Sequence, residues 1–389
     1  MLRLSLFLFA LSAHAADLSV YTANYSLNGR TIAIAEWEAD PSAPHVLAFT
    51  DFDSGRFGVL QEVAPDVYSL PEGVMGGREA ARIRFTPMAL TYNGKTFRRI
   101  PQRTVQTDGG TLWLPAGKGP FPAVVIVPAG HVGRFAAATF PNFFLSQGFA
   151  VLAYDRRSER APFETYANDA VAAVEMLRKR RDIDPRRVGL WGHSQGGWLS
   201  IIAASKSADV AFVIDHSGMF VPAWQQELYR LGAEATADGT SASEVAAAVA
   251  YEARLMEVAR TGQGWDELMH SAEGTAWRDL GYKPASLQEL QQVWRDDFSF
   301  DPRPFAAGVR QPVLALFGGL DKSTPIESAA NLERAMPANA RLTVLFFPTA
   351  DHAFLDATTG GNREIPTLKR FVPGMFDAMR RWLHALYAK

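Results

Sequence analysis

Val188-Gly189-Leu190-Trp191-Gly192-His193-Ser194-Gln195-Gly196-Gly197 is the stretch whose reading decides the fold. A short apolar run stops at Ser194 and a run with helical spacing follows, so the segment reads as strand, tight turn and helix. Gly192, Ser194 and Gly196 match the G-x-S-x-G nucleophile elbow, in which small residues two before and two after let the backbone pinch so that the serine stands clear of the sheet. Such a match carries weight only between a strand and a helix, and that is the context here.

The same alternation extends outward on both sides. Upstream, Ala123-Val124-Val125-Ile126-Val127 is continuously apolar, as expected of a parallel strand covered on both faces, and it ends in Pro128-Ala129-Gly130-His131. A helical run through Phe140 to Leu145 is broken at Gly148. A second buried strand, Phe149 to Tyr154, then ends at Asp155-Arg156-Arg157. Tyr166 to Arg180 has Ala170, Val174 and Leu177 on one helical face. Downstream comes a strand at Val210 to Ile214, and then from about Pro222 to Phe298 the pattern is helical only. Ser241-x-x-Glu244 and Ser286-x-x-Glu289 are capping boxes within it. Strands resume at Pro312 to Phe317 and Leu342 to Phe347, before a last helix from about Gly374 to Tyr387. Alternating strands and helices predict an α/β fold with a mostly parallel sheet and right-handed crossovers.

Further out, residues 16–103 are expected to form a small N-terminal β module, with alternation in Thr31 to Trp37 and a type I′ hairpin at Asn93-Gly94. It holds no cluster of ionisable residues with ligand or triad spacing, so structural support or partner contact is expected of it. Val105 to Leu114 predicts another hairpin turning at Asp108-Gly109-Gly110, and residues 104–389 form the main domain. Residues 1–15 combine Arg3, an apolar run from Leu4 to Leu11 and the small-x-small pattern Ala13-His14-Ala15, the pattern of a secretory signal peptide. The run is far shorter than the roughly 20 residues of a membrane span, so no stable membrane anchor is expected, and the location is secreted or periplasmic. Cleavage after Ala15 removes one positive charge and takes the net charge from −2 to −3. That balance gives no reason to expect nucleic acid binding. Lys179-Arg180-Arg181 and Arg186-Arg187 read as solvated element ends. The chain has no cysteine, which excludes a thiol nucleophile and a disulfide scaffold. There is no H-E-x-x-H either, so neither a metal nor a cofactor is expected.

A serine hydroxyl is a weak nucleophile until a base takes its proton and a carboxylate orients that base. Asp321 follows the strand at Pro312 to Phe317, and His352 follows the strand at Leu342 to Phe347. Strands of a parallel sheet end at one edge, so Ser194, Asp321 and His352 are expected to converge. Asp351 and Asp356 are competing carboxylates. His131, His193 and His216 are competing histidines, with a core or capping role expected for His216.

With these motifs in this order the chain resembles the α/β-hydrolase family, and within it secreted esterases and peptidases of the dienelactone hydrolase and prolyl oligopeptidase type. The resemblance covers roughly Val105 to Tyr387. It implies an α/β-hydrolase fold with a helical cap at about residues 218–305. It further implies Ser194 as nucleophile, His352 as general base and Asp321 as the orienting carboxylate. The oxyanion hole is expected to use the backbone N–H of Gln195 and of Gly130, with Ala129 and His131 as the other candidates. Arg156 and Arg157 resemble a substrate-binding Asp-Arg-Arg-Gly loop, but Ser158-Glu159-Arg160 replaces its glycines, and structural ion pairs are as plausible there. Trp224, Tyr229, Trp265, Trp277 and Trp294 either line a pocket or pack the cap. The reading is a serine hydrolase acting on small-molecule carboxylic esters. The alternatives are a serine peptidase or aminoacyl amidase on short peptides, and a non-catalytic binding protein on the same scaffold. Oligomeric state is not readable from the sequence.

Overall fold

The computed structural model describes residues 17–39, 43–130, 133–271, 284–294 and 299–387. Residues 1–15, read as a signal peptide, and His131 and Trp277 lie outside the described residues. After a 3-10 turn at Leu18–Val20 come eight antiparallel strands, β1 (Ala23–Leu27), β2 (Arg30–Trp37), β3 (Val46–Asp51), β4 (Phe57–Ala64), β5 (Val67–Pro71), β6 (Glu79–Thr86), β7 (Ala89–Tyr92) and β8 (Lys95–Arg99). They close into a barrel because β1 pairs with both β2 and β8, placing Tyr25 opposite Arg99. Closure removes the exposed strand edges that an open meander would carry. Asn93 and Gly94 take φ of 50° and 71° between β7 and β8, the left-handed pair that a type I′ turn requires.

Alternation along β2 serves two packings. Ile32 and Ile34 point into the barrel core with Phe49, Leu70 and Phe97, while Ala33 faces the main domain. Small side chains on that face let the backbones approach, and larger rings from the barrel lock the contact. Phe52 meets Phe143 and Phe376 at centroid distances of 5.6 and 4.9 Å, and Phe57 meets Phe371 at 4.9 Å. Main-chain bonds from Phe371 N–H to Gly55 O (2.9 Å) and Met75 N–H to Pro366 O (3.3 Å) add a polar seam.

The main domain is a sheet of β9 (Gln102–Thr107), β10 (Gly110–Pro115), β11 (Phe121–Val127), β12 (Ala150–Tyr154), β13 (Ile183–His193), β14 (Val213–His216), β15 (Val313–Gly318) and β16 (Leu342–Phe347). Its order is β16-β15-β14-β13-β11-β12-β10-β9, parallel from β12 to β16 and antiparallel at β10. On one face α2 (Phe163–Arg178) and α3 (Gln195–Lys206) bury Val125, Val127 and Leu190. On the other, α1 (Phe140–Ser146), the C-terminal helix (Met375–Tyr387) and the barrel bury Val124, Ile126 and Trp191. Both faces are covered, which is why these strands read as unbroken apolar runs. The exception is β16, an edge strand with Phe346 52% exposed.

Between β14 and β15 the chain inserts α4 (Ala223–Ala237), α5 (Ala242–Thr261), α6 (Trp265–His270) and α7 (Leu287–Trp294). Both capping boxes are formed in part by the same bond: the Glu244 N–H donates to Ser241 Oγ (3.4 Å), and the Glu289 N–H to Ser286 Oγ (3.1 Å). The insertion has its own small core of Tyr251, Leu255, Val258, Leu268 and Leu290, against which Trp265 and Trp294 pack. No described helix is long and apolar enough to cross a membrane.

Candidate active site

Ser194 sits at the apex between β13 and α3 with φ 55° and ψ −121°, a conformation that costs a non-glycine residue about 1–3 kcal/mol. The turn is held from both sides, by the Ser194 N–H on His216 O (2.8 Å) and the Gly197 N–H on Ser194 O (3.0 Å). The flanking glycines answer close approach. A Cβ on Gly192 would lie 2.1 Å from the carbonyl of Gly196, and one on Gly196 would lie 2.2 Å from Val127 O. Gly192→Ala is therefore expected to destabilise the fold by about 3 kcal/mol or more, read by urea denaturation, because backbone has to move to admit the methyl.

Asp321 and His352 lie in the loops after β15 and β16, at the same edge of the sheet. His352 Nδ1 faces both Asp321 carboxylate oxygens, 3.0 Å from Oδ1 and 2.9 Å from Oδ2. Since a carboxylate accepts, Nδ1 carries the proton and Nε2 is left as an acceptor. Asp321 Oδ1 also accepts the N–H groups of Ser323 (2.8 Å) and Thr324 (2.7 Å). Burial opposes ionisation of Asp321, but the His352 charge and these hydrogen bonds outweigh it, and its pKa is lowered. Burial likewise works against the His352 cation, yet Asp321, with Asp351 and Glu234 behind it, raises the imidazole's pKa above the ordinary value. The competing carboxylates are committed elsewhere. Asp351 accepts the Leu355 N–H (2.8 Å), and Asp356 pairs with Arg370 (2.7 Å) and Thr349 (2.7 Å).

The other described histidines near the edge have different work. His193 Nε2 donates to the His352 carbonyl (2.7 Å), and burial together with the nearby His352 lowers its pKa to about 4, so the ring is neutral. His216 is fully buried, with the Phe354 ring 4.0 Å away, edge to face, in keeping with a core residue. Among the described residues no hydrogen bond joins Ser194 Oγ to His352. Contacts of this kind are often long before substrate binds and tighten afterwards.

The loop after β11 departs from expectation. The Gly130 N–H donates to the side-chain Oε1 of Gln195 (3.0 Å), so it is already used and is not free to meet an oxyanion. Gln195 Oε1 is held in place by the Arg156 guanidinium, which stacks on Tyr166 with 3.6 Å to the ring centroid. Arg156 therefore braces the elbow. Its neighbour Arg157 pairs with Asp169 (Nε to Oδ2, 2.9 Å), and Asp155 pairs with Arg134 (3.0 Å). The glutamine's reach across the gap is a tertiary contact with no signature in the local sequence. The Gln195 N–H itself opens α3, among the first amides of a helix that find no partner within it.

The Alpha/beta hydrolase family model matches residues 124–359, more than half of the chain, and that match takes in the elbow and the Asp321 and His352 loops. The chain belongs to the alpha/beta hydrolase family. It is similar to Esterase EstD of Thermotoga maritima, 23% identical over 300 residues, which are 72% of this chain and 66% of that protein. It is also similar to the quorum-quenching protein AidA of Acinetobacter baumannii, 30% identical over 139 residues, 31% of this chain and 46% of that one. The chain thus spans just under two thirds of the first relative's length and under half of the second's. Among solved structures, acetyl xylan esterase 1 from Thermoanaerobacterium sp. JW/SL YS485 covers 92% of this chain and 88% of its own at 14% identity, with a TM-score of 0.45.

In this alpha/beta hydrolase the barrel reaches the sheet edge. A cavity of about 340 Å³ opens there, walled by Trp37, Phe57 and Met75 of the barrel unit and by Phe140, Trp191 and Leu355 of the main domain. Pro128, Ala129, His193 and Ala353 also line it. Besides packing on the main domain, the barrel thus supplies part of a wall beside the candidate site. A cavity shared by two units is invisible to local patterns. The inserted helices instead lean on the acid loop: Tyr229 Oη donates to Asp321 O (2.8 Å) and Gln226 Nε2 to Ser323 O (2.8 Å). None of the described cavity lining comes from them.

Proposed function

We propose that the protein is a secreted or periplasmic serine hydrolase that cleaves carboxylic esters through an acyl-enzyme intermediate. The observation that carries this reading is the strained serine at the sheet edge, sharing that edge with an imidazole fixed in one tautomer by a buried carboxylate. Ser194 Oγ attacks the ester carbonyl carbon while His352 Nε2 takes its proton. Asp321 holds the Nδ1–H and stabilises the imidazolium. The oxyanion is met by the backbone N–H of Gln195 and, with Gly130 engaged by Gln195 Oε1, by that of Ala129. Collapse expels the alcohol, which His352 protonates. Water activated by the same nitrogen then attacks the acyl carbon and frees Ser194. That the Thermotoga relative is an esterase supports an ester substrate, and the pattern of residues 1–15 supports export. The inserted helices act here as a cap that steadies the Asp321 loop.

An organophosphonate is expected to label the protein once, on the peptide carrying Ser194, as read by peptide mass spectrometry. Label on another residue overturns the assignment. The pH dependence has a sign. The base must be neutral and its pKa is raised, so kcat/KM is expected to climb with pH through an apparent value above 6.5 and be lost below it. A limb falling below 6.5 counts against the His352–Asp321 coupling.

A further inference from the structure

The cavity between the barrel and the main domain carries an inference about substrate. Its walls are aromatic and aliphatic from both units, and its charged neighbours are already spoken for. Glu38 accepts the Gly133 N–H (3.0 Å) and Arg134 is paired with Asp155, so both side chains already hold polar partners of the fold. Of the remaining polar lining, His193 is neutral and bonded to the His352 carbonyl, and the Trp191 indole N–H is a single neutral donor, buried without a partner. A strongly polar or charged ligand arm would lose its water there for few partners in return. An apolar arm gains burial on every side.

The cavity also adjoins the proposed chemistry. His193 precedes Ser194 and Ala353 follows His352, each one peptide unit of about 3.8 Å away. The His193 and His352 rings are 4.7 Å apart, centroid to centroid. At about 340 Å³ the space is roughly twice the ~150 Å³ apolar cavity that admits benzene. That is room for a bicyclic arene or an alkyl chain of about ten carbons.

We infer that this barrel-walled cavity is the binding site for an apolar alkyl or aryl arm of the substrate ester, and that the N-terminal barrel is thereby a determinant of specificity. This rests on the hydrolase reading above. Barrel and sheet edge meet through Trp37, Phe57 and Met75, so the selecting wall and the reacting serine belong to different units of one chain.

Two ester series test it, p-nitrophenyl esters from acetate to decanoate and acetates of alcohols of matching length. In one of them kcat/KM is expected to rise about 4-fold per methylene until the cavity fills, and which series does so tells whether the acyl or the alcohol arm is held. Met75→Trp, on the barrel wall, is expected to cut kcat/KM for the longest ester at least about 30-fold more than for the shortest; Met75→Ala spares the long ester. Independently of chemistry, N-phenyl-1-naphthylamine is expected to fluoresce on Ser194→Ala protein and to bind at least about 10-fold more weakly once Met75→Trp is added. Flat length dependence in both series, or a profile unmoved by Met75→Trp, overturns the cavity assignment even if ester hydrolysis is robust. No hydrolysis of any ester, with probe binding still weakened by Met75→Trp, instead overturns the hydrolase reading and leaves the cavity a ligand site.

Discussion

Ser194→Ala is expected to lower kcat for a short aryl ester by about a million-fold and to abolish organophosphonate labelling, while far-ultraviolet circular dichroism and the urea midpoint stay near wild type. The loss is large because His352 has nothing to deprotonate once Oγ is gone, and Asp321 then orients a base without a nucleophile. Stability is spared because no hydrogen bond of the fold depends on that hydroxyl among the described residues, and the bonds that pin the turn come from the Ser194 backbone. A companion variant separates strain from chemistry. Ser194→Gly is equally inactive but is expected to be about 1 kcal/mol more stable than wild type, since glycine adopts φ 55° without the Cβ penalty. A stabilised, dead Ser194→Gly would mean that the strain serves the presentation of Oγ and not the fold. Turnover by Ser194→Ala above about a thousandth of wild type would remove Ser194 from the nucleophile's role.

The parts of this chain that could be read from its residues are those whose neighbours lie in both directions at short range. Val124 to Val127 and Val313 to Phe317 are unbroken apolar runs because helices and, on one side, the barrel unit cover both faces of those strands, and Ser194, Asp321 and His352 stand just after such runs. Polar strand residues hide the same element. Ile183 to Arg187 belongs to β13 although Arg186 and Arg187 read as solvated element ends, because Ile183 pairs with Phe121 and Val188 with Ala123 across a register shift. At β14 the shift goes the other way: Val210 to Phe212 read as strand, but regular pairing starts at Val213. Closure of the barrel depends on Tyr25 meeting Arg99, a register that no window of ten residues contains. Nor did the alternation of Ile32, Ala33 and Ile34 say which face would dock. That is settled by tertiary packing, which puts Ala33 in one cluster with Phe143 and Phe376 of the main domain. The engagement of Gly130 by the Gln195 side chain is the same kind of fact, a bond across 65 positions set by tertiary geometry.

Asp321→Asn is expected to reduce kcat by about ten-thousand-fold with KM within a few-fold of wild type. The loop dictates the mechanism of that loss. Asp321 Oδ1 accepts two backbone N–H groups, from Ser323 and Thr324, at 2.8 and 2.7 Å, and asparagine can keep both only by leaving its oxygen there. Its NH2 is then turned toward His352 Nδ1, where it donates. The imidazole must in consequence carry its proton on Nε2, the nitrogen that has to accept from Ser194, and the base is disabled with the fold intact. The residual activity should carry a second mark. With the carboxylate's charge gone, burial, already the largest single influence on His352, loses its main opponent, and the acid limb of kcat/KM is expected to move from above 6.5 to lower pH. A merely structural role for Asp321 would lower the yield of folded protein and leave the limb where it was. Asp351→Asn is the contrast, because its carboxylate caps the Leu355 N–H and does not face the imidazole's Nδ1, so less than a ten-fold change in kcat is expected. If Asp321→Asn instead turned over at near wild-type rate, the orienting carboxylate would have to be sought among groups that are now bonded elsewhere. Asp356 would first have to give up Arg370 and Thr349 to reach the base.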